Sequence, residues 1–237
     1  FLVIKKTNNR LYALISQCIY LFSFIILSTS DHQTGVFLAS LFSVIAYFFY
    51  VKKNDFFAGV FLASMLLTKA YYLPIVIAFF LYLFLKERAR LLKLLIGFIL
   101  TCFFVLLPSI LLARQNLIQD VFLYSLFRSQ GIDKLRILSF FITHDLILVV
   151  LLIFILARPK RCLLFFCIII LSILLFITYK DVYYLYLNLF IPFLVLSFSN
   201  LITGLGERVK KYLLLAYSVI IFLLVIIYFI ENYFKFK

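Results

Sequence analysis

A few residues in this chain have the type and placement to do chemistry. Lys69 stands between two apolar runs, residues 56–68 and 71–85. A charge at the centre of a bilayer costs on the order of 3 kcal/mol even on lenient insertion scales, so Lys69 needs water or a partner. As a compact cation it suits a phosphate; the plainer alternative is a turn lysine that snorkels. Asp31, followed by His32, opens the apolar run 35–50. A carboxylate there can bind a hydroxyl or a metal ion or act as a base, or it can cap the helix that follows. Arg128 follows an apolar helix face and has the fork geometry for phosphate, with lipid headgroups as the competing partner. Lys180 lies in Tyr179-Lys180-Asp181, where pairing with Asp181 competes with a substrate role. His32 and Tyr72 complete the candidate substrate contacts. His144-Asp145 is an ionisable pair inside an apolar stretch, a functional candidate by default. Alternatively, residues 137–145 belong to an interfacial segment.

Composition dictates what must position these groups. The chain has 237 residues, 67% hydrophobic and 14% charged. A water-soluble domain of this length could not cover so much apolar surface, so composition predicts an all-α, multi-pass transmembrane bundle. The formal charge of +14 does not indicate nucleic acid, because no basic stretch is long, aromatic-interleaved and clear of apolar runs. Basic loops between apolar runs mark the cytoplasmic side instead. Cys18, Cys102, Cys162 and Cys167 lie in or beside apolar runs, without metal-ligand spacing, and read as small buried hydrophobes. The chain begins at Phe1 inside an apolar patch with no signal-peptide pattern, which predicts the C-terminal portion of a longer protein. No P-loop, zinc motif or Ser-His-Asp arrangement is present.

Nine spans are predicted: 11–29, 35–50, 56–68, 71–85, 91–113, 137–157, 162–178, 182–198 and 212–230, in one integral domain over 1–237. Residues 114–136 form the one long polar connection. Ile118, Phe122 and Leu126 recur there at helical spacing, as in an external helix lying in the interface. With residues 5–10 in the cytoplasm and strict alternation, most of the 23 basic residues fall on the cytoplasmic side. Lys69 then tips a hairpin on the outer side. A helix over 56–68 rises only about 20 Å against a core of about 30 Å, so the tip lies below the surface. Irregular backbone at that depth needs protein or a watery cavity around it, which predicts an outward cavity with a cationic rim.

The order of motifs resembles a known family. It runs through Ser28-Thr29-Ser30-Asp31, Lys52-Lys53-Asn54-Asp55, Phe57-Ala58-Gly59-Val60 and Leu66-Leu67-Thr68-Lys69, then a span ending in Leu107-Pro108 and the aromatic Tyr183-Tyr184-Leu185-Tyr186. This is similar to the middle and C-terminal part of the GT-C glycosyltransferases. The likeness is to the polyprenyl-phosphate-sugar-dependent branch with dolichyl-phosphate-mannose-type and aminoarabinose-type transferases. It covers residues 11 to 198. The resemblance implies an inverting transfer of a sugar from a polyprenyl-phosphate donor to a lipid, glycan or protein acceptor. The transfer would occur on the non-cytoplasmic face of a bacterial plasma membrane. Asp31 matches the secondary acidic position of that family, not its leading catalytic acid, which lies in a first external loop that this chain does not show. Lys69 and Arg128 would bind the donor phosphate. No cofactor is implied beyond a divalent cation, for which Asp31 is the candidate. A transporter or flippase of a lipid-linked or anionic solute is the alternative, as is a surface-polysaccharide polymerase or ligase. A transporter should show repeat symmetry and broken polar helices near the midplane.

Overall fold

The computed structural model describes residues 2–29, 35–117, 131–160, 162–179, 182–204, 206 and 212. These form helices and turns, with no strand among the described residues. The helices are α1 (Leu2–Thr7), α2 (Arg10–Leu21), α3 (Phe24–Thr29), α4 (Val36–Val51), α5 (Asp55–Thr68) and α6 (Leu73–Lys86). They continue with α7 (Arg88–Leu117), α8 (Lys134–His144), α9 (Leu146–Ala157), α10 (Leu163–Thr178) and α11 (Ile191–Thr203). Short 3₁₀ turns at Ala70–Tyr72 and Tyr184–Leu189 lead into α6 and α11.

Local chemistry sets the boundaries. Asn9 caps α2 by accepting from Leu11 N at 2.8 Å, and Asp133 caps α8 by accepting from Leu135 N at 3.1 Å. Pro74 and Pro192 occupy the first turns of α6 and α11, where a missing N–H costs nothing. The expected span 182–198 is therefore not one helix with an internal proline. Its first half is a 3₁₀ turn, and Pro192 begins α11.

Two other expected spans are broken. The stretch 11–29 divides at Phe22-Ser23 into α2 and α3, and 137–157 divides at Asp145 into α8 and α9, which meet at 103°. The two breaks are one feature: the Asp145 carboxylate accepts from Phe24 N at 2.7 Å and Ile25 N at 3.1 Å, satisfying the first donors of α3. The backbone thus separates 134–144 from the helix that follows. α7 runs on to Leu117, so the first part of the expected connection 114–136 is helical. Residues 118–130, with Ile118, Phe122 and Leu126, lie outside the described residues, and 134–136 already belong to α8; the expected span 212–230 apart from Tyr212 lies outside them too.

Arg88–Leu112 within α7 is long and apolar enough to cross a membrane, and the bent pair α8–α9 is a second candidate if counted as one span. Val36–Val51, Asp55–Thr68, Ala70–Lys86, Leu163–Thr178 and Ile191–Thr203 are apolar but shorter. Helix length therefore does not establish nine spans. α7 also keeps large apolar side chains at its surface, among them Leu92, Ile99, Phe103 and Leu111, with Phe104 69% and Leu112 88% exposed.

α5 packs between α4 and α7. Phe49 of α4 stacks on Phe61 and Phe57 of α5 at 5.5 and 5.4 Å. α5 and α7 cross at two glycines. A Cβ on Gly59 would overlap the Leu94 carbonyl oxygen, and one on Gly97 would overlap that of Phe56. Only glycine permits backbones to approach so closely. α6 packs on α10, and α11 packs on α2 and α9, around a core that includes Tyr72, Phe79, Phe141 and Phe193.

Candidate functional site

The hairpin of α5 and α6 carries Lys69 at its tip. Lys69 N–H closes α5 by donating to Met65 O at 3.1 Å, and the residue itself turns extended, at φ −150° and ψ 111°. Its side chain is half-buried. Part of the cover comes from Gly35, the left-handed residue (φ 74°) that precedes α4. A Cβ there would sit 3.4 Å from Thr68 Cγ2 and 3.6 Å from Lys69 Cε, so the α4 N-terminus passes directly over the lysine stem. Among the described residues Lys69 makes no ion pair.

Two tyrosines follow the lysine and divide the work. Tyr72 is fully buried, with its hydroxyl 2.5 Å from Ser40 Oγ and donating to Val36 O at 3.1 Å. Tyr72, expected among the substrate contacts, thus pins the hairpin tip to α4 and presents no surface to a ligand. Tyr71 lies against Tyr186 with ring centroids 4.3 Å apart, and Tyr186 in turn packs on Tyr179 at 5.8 Å. The Tyr71 hydroxyl is buried without a hydrogen-bond partner.

These contacts bring the expected outer turns to one end of the bundle. The Tyr71–Tyr186 pair joins the Lys69 tip to the 3₁₀ turn after Val182. Ile132 N–H donates to Val182 O at 2.9 Å, which joins the segment before α8 to the same turn. Lys134 Nζ donates to Ile177 O at 2.5 Å, near the C-terminus of α10. Asp31, His32, Arg128 and Lys180 lie outside the described residues. The residues that resume the chain after three of these gaps, Gly35, Gly131 and Val182, nonetheless belong to this end.

An apolar cavity of about 810 Å³ opens beside this end. Ile132, Leu138, Phe141, Ile173, Phe176, Leu187 and Phe190 line it, and Asp133 and Lys134 supply its polar edge. It has the chemistry to hold a hydrocarbon chain, with one cation, Lys134, at its edge.

At the opposite end, the loops expected on the cytoplasmic side meet. Arg90 reaches across from α7 to Asp55, donating from Nε to Oδ1 and Oδ2 at 3.0 and 2.9 Å and from Nη2 to Oδ1 at 2.6 Å. Asp55 is only 4% exposed. Arg90 also bonds Glu87 through Nη1 and Tyr50 O through Nη2 at 2.7 Å, and its guanidinium lies 4.5 Å over the Tyr50 ring. The Tyr50 hydroxyl donates to Glu87 at 3.0 Å. Asp55 and Glu87 fall between the expected spans, in the turns 52–55 and 86–90. Their signal was that each is a lone acid in an otherwise basic turn.

No group of three or more His, Cys, Asp and Glu side chains that could hold a metal occurs among the described residues. The cysteines are free thiols: Cys162 is buried and accepts from Asn200 Nδ2 at 3.2 Å, and the other three are half-buried. Comparison with models of known protein families finds no match, and searches of curated proteins and of solved structures find none.

Proposed function

We propose that the chain is a multi-pass membrane protein of about nine spans, built like a GT-C glycosyltransferase. In this reading it moves a sugar from a polyprenyl-phosphate donor to an acceptor on the non-cytoplasmic face. The observation that carries the reading is the layout of one end of the bundle. A half-buried lysine without an ion-pair partner among the described residues tips a hairpin there, and a large apolar cavity opens beside the same end. A polyprenyl phosphate needs those two things together: an apolar channel for its chain and a cation for its headgroup. Lys69 would neutralise the phosphate as the sugar leaves, which stabilises charge that develops in the transition state. Arg128, Lys180 and His32 would contribute further contacts, with Asp31 at the secondary acidic position.

Membrane insertion is supported by the exposed apolar face of α7. A contiguous apolar surface of this kind is rare on a soluble monomer and is covered at no cost by lipid. Multiple passes are supported by the alternation of successive turns between the two ends.

Transfer and transport are separated by the fate of one bond. Vesicles holding the intact protein, with the first external loop that carries the leading acid in the resembled family, are supplied with a lipid acceptor and polyprenyl-phosphate mannose labelled in the sugar. Transfer should release polyprenyl phosphate and move the label to an acceptor. Delivery of the intact lipid to the opposite leaflet, with no polyprenyl phosphate formed, would overturn the transferase and establish a flippase.

A further inference from the structure

We propose that the basic end of the bundle, opposite Lys69, holds a second anion site that takes a phosphate-bearing headgroup. A cavity of about 230 Å³ opens there, lined by Tyr47, Tyr50, Tyr82, Lys86, Lys160 and Asn200, and its exposed wall is mostly polar. Such a wall is out of place in a chain that is 67% hydrophobic. The cavity is roomy enough for several waters, or for one phosphate with the first atoms of its ester.

Charge makes the cavity specific. Lys86 ends α6 and Lys160 belongs to the turn after α9, so two separate elements deliver like charges to one cavity. Like charges brought together raise the energy unless an anion joins them. The nearby acids are not that anion. Asp55 and Glu87 are both engaged by Arg90, and neither lysine is ion-paired among the described residues. The floor is already organised: Asn200 is 8% exposed and its amide donates to the buried Cys162 thiol. A phosphate seated between the lysines would meet two ammonium groups and tyrosine hydroxyls, while any acyl chain stayed outside against the apolar helices. The site is independent of the transferase reading, since nothing in it touches the Lys69 end.

The test uses the purified full chain in uncharged detergent, in a Lys69→Ala background so that the other end does not contribute. Thermal unfolding and native mass spectrometry are followed with added phosphatidylglycerol, with diacylglycerol lacking the phosphate, and with inorganic phosphate. Phosphatidylglycerol should raise Tm and stay bound, and Lys86→Gln/Lys160→Gln should weaken its apparent affinity by roughly 10- to 30-fold. Lys53→Gln/Lys93→Gln, which removes two charges outside the cavity, should leave it unchanged. Inorganic phosphate matching the lipid at equal concentration would identify free phosphate as the ligand; weaker action would identify the lipid headgroup. Diacylglycerol acting as well as phosphatidylglycerol, no binding of either phosphate probe, or a double variant that binds like its parent would overturn the site. If the double variant unfolds, Lys160→Gln alone decides, with a loss of roughly fivefold expected and no loss contradicting.

Discussion

Lys69 and Asp145 are both charges in apolar surroundings, and the fold treats them differently. Asp145, 6% exposed, is spent on backbone: its two oxygens hold Phe24 N and Ile25 N, where the chain leaves α2 for α3. His144 beside it stacks on Phe140, with ring centroids 4.0 Å apart. This is structural work, and removing it strands buried donors. Asp145→Ala should cost about 2 kcal/mol in equilibrium unfolding, with Asp145→Asn losing less because one acceptor remains. Equal stability of Asp145→Ala and the parent would mean that the carboxylate does not hold the break. Asp55 is likewise committed, bound by Arg90 through three hydrogen bonds. Lys69 is the contrast. Its stem is covered by Gly35, and no carboxylate among the described residues pairs with it. The sequence placed both charges correctly as anomalies. It could not tell which was satisfied, because Asp145's partners are backbone groups 120 residues away.

At the scale of elements, the hairpin around Lys69 was legible because a short apolar run, a lysine and Pro74 together dictate a stop and a restart. The expected run 56–68 became Asp55–Thr68, and the return 71–85 became Leu73–Lys86 behind a 3₁₀ turn. The break at Ser23 was hidden, because apolar residues continue on both sides of it and hydropathy alone cannot register an acceptor supplied from another helix; the break at Asp145 was marked by the polar run Thr143-His144-Asp145. The α5–α7 crossing was hidden for a related reason. Gly59 and Gly97 are ordinary in isolation, and only the pairing of two helices shows that each faces the other's backbone. Gly59→Ala should therefore destabilise the protein by about 1–3 kcal/mol, and Gly59→Leu by more, read as a lower unfolding midpoint in detergent. Wild-type midpoints in both variants would mean that the helices do not touch as described.

At the scale of the whole molecule, two ends with different chemistry emerge. One is aromatic, with Tyr71, Tyr179 and Tyr186 around the lysine tip and an apolar cavity beside it. The other is built on Arg90 with Asp55 and Glu87, and holds a polar cavity edged by two lysines. In the proposed multi-pass reading, positive-inside bias would put the second end in the cytoplasm. Reporter fusions at Asn54 and Pro159 should then be active in the cytoplasm and those at Ser30 and Gln130 outside; the reverse pattern would invert the orientation. The central claim is that the Lys69 end receives a lipid phosphate, and its most direct test is equilibrium binding of polyprenyl phosphate and of uncharged polyprenol to the parent and to Lys69→Ala. The phosphate should bind the variant about 10- to 100-fold more weakly, the loss of one charge-assisted contact, while polyprenol binds both alike. Unchanged affinity for the phosphate, or an equal loss for polyprenol, would contradict it.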